Sequence, residues 1–175
     1  HLSIRRQRQM CIRDRNSNLP ENNKELLEMW RNNIAVLNTA ENDRKDENFA
    51  KDIENAARLV GITLEIAGNL PTDNNAVARV LTFAALQCLN NAARHAKADK
   101  MLLESLDDGE NYIFKFKNNG RKPPRKINEG GGLSSVRKKA EQIGGSMKIS
   151  TSEIFVLEIT IPKSEVLQYD KSTDS

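Results

Sequence analysis

The chain has 175 residues, 38% of them hydrophobic, and a formal net charge of +3 at pH 7, enough for one domain with attachments and an adequate core. No run approaches the roughly 18 consecutive apolar residues that a membrane helix needs, and the basic start has no apolar stretch behind it, so neither a spanning segment nor a secretory leader is expected. Cys11 and Cys88 lie far apart, which suggests neither a disulfide framework nor a zinc site, and the expected setting is cytoplasmic.

Residues 1–15 stand apart. Gln9-Met10-Cys11-Ile12-Arg13-Asp14-Arg15 looks like a translated transposase-type sequencing adapter, so this segment is expected to be non-native and is excluded from fold reasoning. It carries five Arg and one Asp, and without it the formal charge of +3 becomes −1. The alkaline balance is therefore no argument for a nucleic-acid partner.

Over residues 21–41, Leu26, Leu27, Trp30, Ile34 and Leu37 recur at three and four, which predicts an amphipathic helix started at Pro20 and Glu21. Residues 42–48 are polar and read as a loop. A second helix is predicted over 46–60, closed by Gly61 in a left-handed cap. Residues 62–66 alternate apolar and polar and predict a strand. Gly68-Asn69-Leu70-Pro71 turns the chain, and Thr72 or Asp73 can cap the long helix that follows to about Ala96, with Val77, Val80, Leu81, Ala84 and Ala85 as its packing face. Strands at 101–106 and 112–117 flank Asp107-Asp108-Gly109-Glu110, a hairpin signal. Residues 118–132 have no periodicity, two adjacent prolines and the bases Arg121, Lys122, Arg125 and Lys126; a long irregular loop inside a compact domain is usually functional or disordered. A helix over 133–143, closed by Gly144-Gly145, and strands at 147–150 and 154–161 complete the pattern before a polar tail. The order of elements predicts an α+β domain with helices over one face of a mixed or antiparallel sheet.

The most informative stretch is residues 86–96. Gln87, Asn91 and His95 are four apart and form one polar stripe on an otherwise apolar helix, with Arg94 beside it. Polar groups on a face that should be core need partners. These can be neighbouring backbone groups, or a bound ligand or metal.

Four stretches in order carry a family resemblance: Gln87 to Ala96, Asn118-Asn119-Gly120-Arg121-Lys122, Gly132-Leu133 to Arg137, and Phe155 to Pro162. Over about residues 58–163 the chain resembles the ATP-binding catalytic domain of bacterial sensor histidine kinases, of the nitrate-sensor-like branch, within the Bergerat-fold ATPase superfamily. The resemblance implies a two-layer α/β sandwich, mixed sheet with helices on one face. Residues 16–57 are then a helical connector, the end of a dimerisation region or a helix docked on the domain surface, and 164–175 a tail.

The resemblance also implies roles. Asn91 would hold Mg²⁺, for which one or two protein oxygens suffice at a triphosphate. Arg94 would bind phosphates, His95 would shape the nucleoside pocket, and Gly120 would let the backbone pass beneath the base. Gly130, Gly132, Leu133 and Arg137 belong to the phosphate-facing box, where helix-start amides attract anions. Two residues depart from the pattern. Gln87 stands where related ATPases have the Glu that takes a proton from attacking water, and Asn118 where the family has the Asp that accepts from the adenine amino group.

The expected function is transfer of the ATP γ-phosphoryl group to a histidine on an upstream dimerisation and phosphoacceptor domain, homodimeric in the intact protein, for relay to a response regulator. His1 is the only histidine besides His95, so no acceptor is evident in this chain. The rival expectations are a non-catalytic nucleotide-binding regulatory module and an anti-sigma-type serine kinase.

Overall fold

The computed structural model describes residues 49–71, 73–123 and 126–164. The helix expected over 21–41, Thr72, Arg125 and the tail beyond 164 lie outside the described residues.

Helix α1, Phe49–Leu59, buries Phe49, Ile53, Ala56 and Ala57, the i, i+4, i+7, i+8 stripe of an amphipathic helix. Asp52 in the first turn and Arg58 in the last both oppose the helix dipole favourably. Gly61 ends it at φ 73°. The Ile62 N–H then reaches the Ala57 carbonyl at 2.9 Å and the Gly61 N–H the Arg58 carbonyl at 3.1 Å, a Schellman closure. Strand β1, Thr63–Ala67, follows at once.

Helix α2, Asn75–Asn91, is capped by Asn74, whose Oδ1 accepts the Val77 N–H at 3.1 Å. Asp73 does not take that place. Residues 72 to 74 are all competent caps, and the start of the helix decides which one serves. From Val77 to Leu89, α2 is buried nearly all round, as expected of a helix covered by two others and a sheet. Thr82 is satisfied within the helix, its hydroxyl donating to the Ala78 carbonyl at 2.8 Å. Burial pushes the Cys88 thiol up, so it packs as a small neutral hydrophobe.

The α-helical pattern stops at Asn91 and a π-helical turn, Ala92–Ala96, finishes the rod. Lys97 then adopts a left-handed conformation at φ 53°, and the Ala98 N–H returns to the Ala92 carbonyl at 3.0 Å.

Strands β2, Lys100–Asp107, and β3, Asn111–Asn118, form the expected hairpin. The Asp108 carboxylate accepts the N–H groups of Glu110 and Asn111 at the turn. Helix α3 spans Gly131–Gln142, two residues earlier than expected, so Gly131 and Gly132 form its first turn. Strands β4, Ser146–Ser150, and β5, Val156–Pro162, close the sheet. Ile154 lies outside β5 and is exposed.

The sheet has the order β1-β2-β3-β5-β4. β1 pairs with β2 in parallel and every other pair is antiparallel, so the sheet is mixed. Met101, Leu103 and Ser105, Phe114 and Phe116, Leu157, Ile159 and Ile161, and Met147 are buried and lie in register across β2, β3, β5 and β4. That face carries the helices. On the opposite face Lys115 pairs with Glu158 at 3.4 Å and Lys117 with Glu104 at 2.7 Å. The α+β sandwich with helices on one face is thus present. Among the described residues no helix is long and apolar enough to cross a membrane.

Ile53 is fully buried, so the core reaches upstream of residue 58. Ile53→Ala is expected to cost about 2–4 kcal/mol in urea unfolding. Leu59→Ala, at a position 56% exposed, should stay within about 0.5 kcal/mol. An unchanged midpoint for Ile53→Ala would mean that α1 unfolds separately.

Candidate functional site

The end of α2 and the end of β3 are joined along a seam. The Arg121 N–H donates to the Ala96 carbonyl at 2.7 Å. Asn119 Oδ1 accepts the Asp99 N–H at 3.2 Å and the Lys100 N–H at 3.0 Å, and its Nδ2 donates to Asp99 Oδ1 at 2.5 Å. Gly120 makes the approach possible, because a Cβ there would lie 2.5 Å from both the carbonyl oxygen and the Cβ of Ala96. Backbone cannot yield as a side-chain tip can, so a side chain at 120 would force the seam apart. The close approach of Gly120 is therefore to the π-helical turn.

Further back along α2, Gln87 meets the start of α3. A Cβ on Gly132 would sit 2.3 Å from Gln87 Oε1, so the helices touch at the amide. Gln87 and Ala96 are nine residues apart, or about 13 Å of helix. Gly130 precedes α3 without any side-chain cap, and the Ser134 N–H bonds back to the Gly130 carbonyl at 3.1 Å. Among the described residues no side chain accepts from the N–H groups of the first turn, the arrangement that attracts anions.

Between these features lies a cleft of about 560 Å³. Of the sequence-derived candidates, Gln87, Asn91, His95, Asn118, Gly130, Gly132 and Leu133 line it. Arg121, Lys122 and Lys126 add positive charge, while Ala96, Pro123, Ile127 and Phe155 make part of the wall apolar. Among the described residues no group of three His, Cys, Asp or Glu could hold a metal.

Three candidates lie off this wall. Arg94 is exposed on the π-helical turn. Gly120 serves the seam. Arg137 is engaged elsewhere: its Nε donates to Glu129 Oε2 at 2.9 Å, its Nη2 to Glu129 Oε1, and its Nη1 to the Met147 carbonyl at 2.7 Å. One guanidinium thereby fastens the loop before α3 to the start of β4, a use of the planar fork that lysine could not match. The bond to Arg137 holds the Glu129 carboxyl below the usual carboxylate range and raises the guanidinium correspondingly.

Sequence reasoning passed over Asn90, Ile127, Asn128 and Phe155 as cleft residues, and Glu129 as the partner of Arg137. Asn90 follows Gln87 by three positions, so helical spacing could have found it. The others sit in or beside irregular segments, where no period exists to read.

The histidine kinase domain of the Erythrobacter litoralis EL346 blue-light activated histidine kinase matches with a TM-score of 0.57 and 16% identity, covering 85% of this chain and 76% of that one. The Acinetobacter baumannii histidine kinase AdeS matches at 0.52 and 15%, covering 79% and 77%. A catalytic domain of histidine kinase ThkA matches at 0.52 and 18%, covering 66% and 92%. The fold is that of a histidine kinase catalytic domain. No family model matches the sequence, and no curated protein does. At these identities the likeness extends to the path of the chain. In this histidine kinase fold the cleft lies between α2, the loop after β3 and the start of α3.

The Glu129–Arg137 pair is about a third exposed, with side-chain accessibilities of 31% and 33%, so it is expected to contribute no more than about 1 kcal/mol. Glu129 has a lowered folded pKa. The contribution is therefore complete above the unfolded value and disappears as the pH falls through the folded one. Glu129→Gln should lower the melting temperature slightly at neutral pH, with the difference vanishing in acid. An equal deficit at all pH values would refute the ionic role.

Proposed function

We propose that this domain binds a magnesium–nucleoside triphosphate and, within a longer sensor histidine kinase, donates its γ-phosphoryl group to a histidine of an upstream dimerisation domain, for relay to a response regulator. ATP is the nucleotide the resemblance implies. The observation that carries this reading is the amide stripe of α2 facing the uncapped start of α3 across one cleft of about 560 Å³. Each part has a chemical task there. The Asn91 side-chain oxygen would hold magnesium, which when bound neutralises phosphate charge. The α3 N–H groups and the Lys122 and Lys126 ammonium groups would hold phosphate oxygens. Ala96, Ile127, Leu133 and Phe155 would enclose the base and exclude water.

Transfer breaks the bond between the γ-phosphorus and the bridging oxygen and forms a bond to an imidazole nitrogen, releasing the nucleoside diphosphate. Positioning and charge neutralisation account for most of such catalysis. Gln87 bears on which acceptors are usable. It cannot take a proton, and general-base help is worth roughly 10²–10⁴ in rate. Water suffers fully from that loss. A neutral imidazole already offers a lone pair and suffers less.

Gln87 also favours a second reading, a nucleotide-binding module that controls a partner without chemistry. Its amide lies against Gly132, where it can join the two helices as a structural contact.

Calorimetry with Mg-ATP distinguishes the readings from their failure. Asn91→Ala is expected to remove the magnesium-dependent part of binding, and a parent chain that binds no nucleotide at millimolar concentration would sink both. With the native upstream domain restored, phosphohistidine should form with negligible hydrolysis, and Gln87→Glu should raise turnover at similar affinity. Nucleotide binding without phosphohistidine for either residue at 87 would select the non-catalytic module. The 175-residue chain alone should acquire no acid-labile, base-stable label.

A further inference from the structure

Asn118, the last residue of β3, lines the cleft with a committed side chain. Its Oδ1 accepts the Gly120 N–H at 3.0 Å. The two ends of the amide are therefore not interchangeable, because a flip would set an amino group against a backbone N–H, donor against donor. Gly120 cannot retreat to relieve such a clash, pressed as it is on Ala96 and followed by the Arg121–Ala96 hydrogen bond. The polar atom left over is Nδ2, a donor that meets no protein acceptor among the described residues. Around it the wall is partly apolar, with Ala96, Ile127 and Phe155, a setting for a flat base read at its edge by few polar groups.

Purines differ at the 6-position in the property that this amide tests. Adenine carries an amino donor there and guanine a carbonyl acceptor; hypoxanthine carries the same carbonyl. An Asp at 118 would offer two acceptor oxygens, one for the Gly120 N–H and one for an adenine amino group. Asn offers one acceptor oxygen, with one lone pair already taken by the Gly120 N–H, and one donor nitrogen. We infer that Asn118 makes this cleft a reader of 6-oxopurine nucleotides, so that ITP and GTP bind at least as tightly as ATP. The inference rests on the nucleotide reading above and on the place that the family resemblance implies for residue 118, against the 6-position of the base. ATP remains a ligand through the second lone pair of Oδ1, with the Nδ2 hydrogens pressing against its own amino group.

The test is calorimetric titration of the 175-residue chain with Mg-ATP, Mg-GTP and Mg-ITP, repeated on Asn118→Asp. Asp is isosteric and keeps the acceptor for the Gly120 N–H, so melting without nucleotide should not change. ITP and GTP are expected to match or exceed ATP on the parent. Asn118→Asp should reverse that order, shifting the ATP-to-ITP affinity ratio by about tenfold, the weight of one hydrogen bond. Tighter binding of ATP than of both oxopurines by the parent, or a ratio that Asn118→Asp leaves unmoved, overturns the inference while the nucleotide reading stands. Failure of all three triphosphates to bind overturns both.

Discussion

The arrangement of the domain depends on the burial of α2 between α1, α3 and the sheet. A helix buried on nearly every side from Val77 to Leu89 has no solvent face for polar residues, so amide groups placed on it must be met by the protein or by something the protein holds. Gln87 packs its amide against Gly132 in the first turn of α3. Asn91 and His95, further along, open on a cleft. Core and site are thus continuous, and the rigid side of the cleft is the end of the most buried element of the fold.

The other side is fastened by short-range chemistry. Asn119, Gly120 and Arg121 are bonded or pressed to the segment 96–100, which fixes the end of β3 against the π-helical turn. Arg137 ties Glu129 to the Met147 carbonyl and so holds the entrance to α3. Between these two attachments Lys122 and Lys126 add positive charge to the cleft wall.

Much of this was legible in the sequence, wherever a short pattern has one physical reading. The four-residue spacing of Gln87, Asn91 and His95 placed them on one face, and Asp107 to Glu110 between alternating strands could only be a tight turn. Gly61 at the end of an apolar-periodic segment foretold its left-handed cap. Failures came where several readings were locally equivalent or the decisive partner was remote. Residues 72 to 74 can each cap a helix, and Asn74 is the one that does. Nothing local pairs Glu129 with Arg137 across a loop boundary, or stops the α-helical pattern at Asn91. Gly120 was legible as a close-approach residue, and the backbone of Ala96 lies against it.

The parallel pairing of β1 with β2 affects how the chain acquires its shape. Hairpins such as β2–β3 and β4–β5 close over a few residues, whereas β1 and β2 are brought together only by the whole of α2 and its π-helical turn, from Ala67 to Lys100. Loop-closure entropy must be met before such a distant pairing is rewarded, so non-local pairings slow folding. The crossover that closes this loop is also the helix whose far end makes the cleft. The cleft is therefore complete only when this crossover is, and any ligand it takes would stabilise the completed domain.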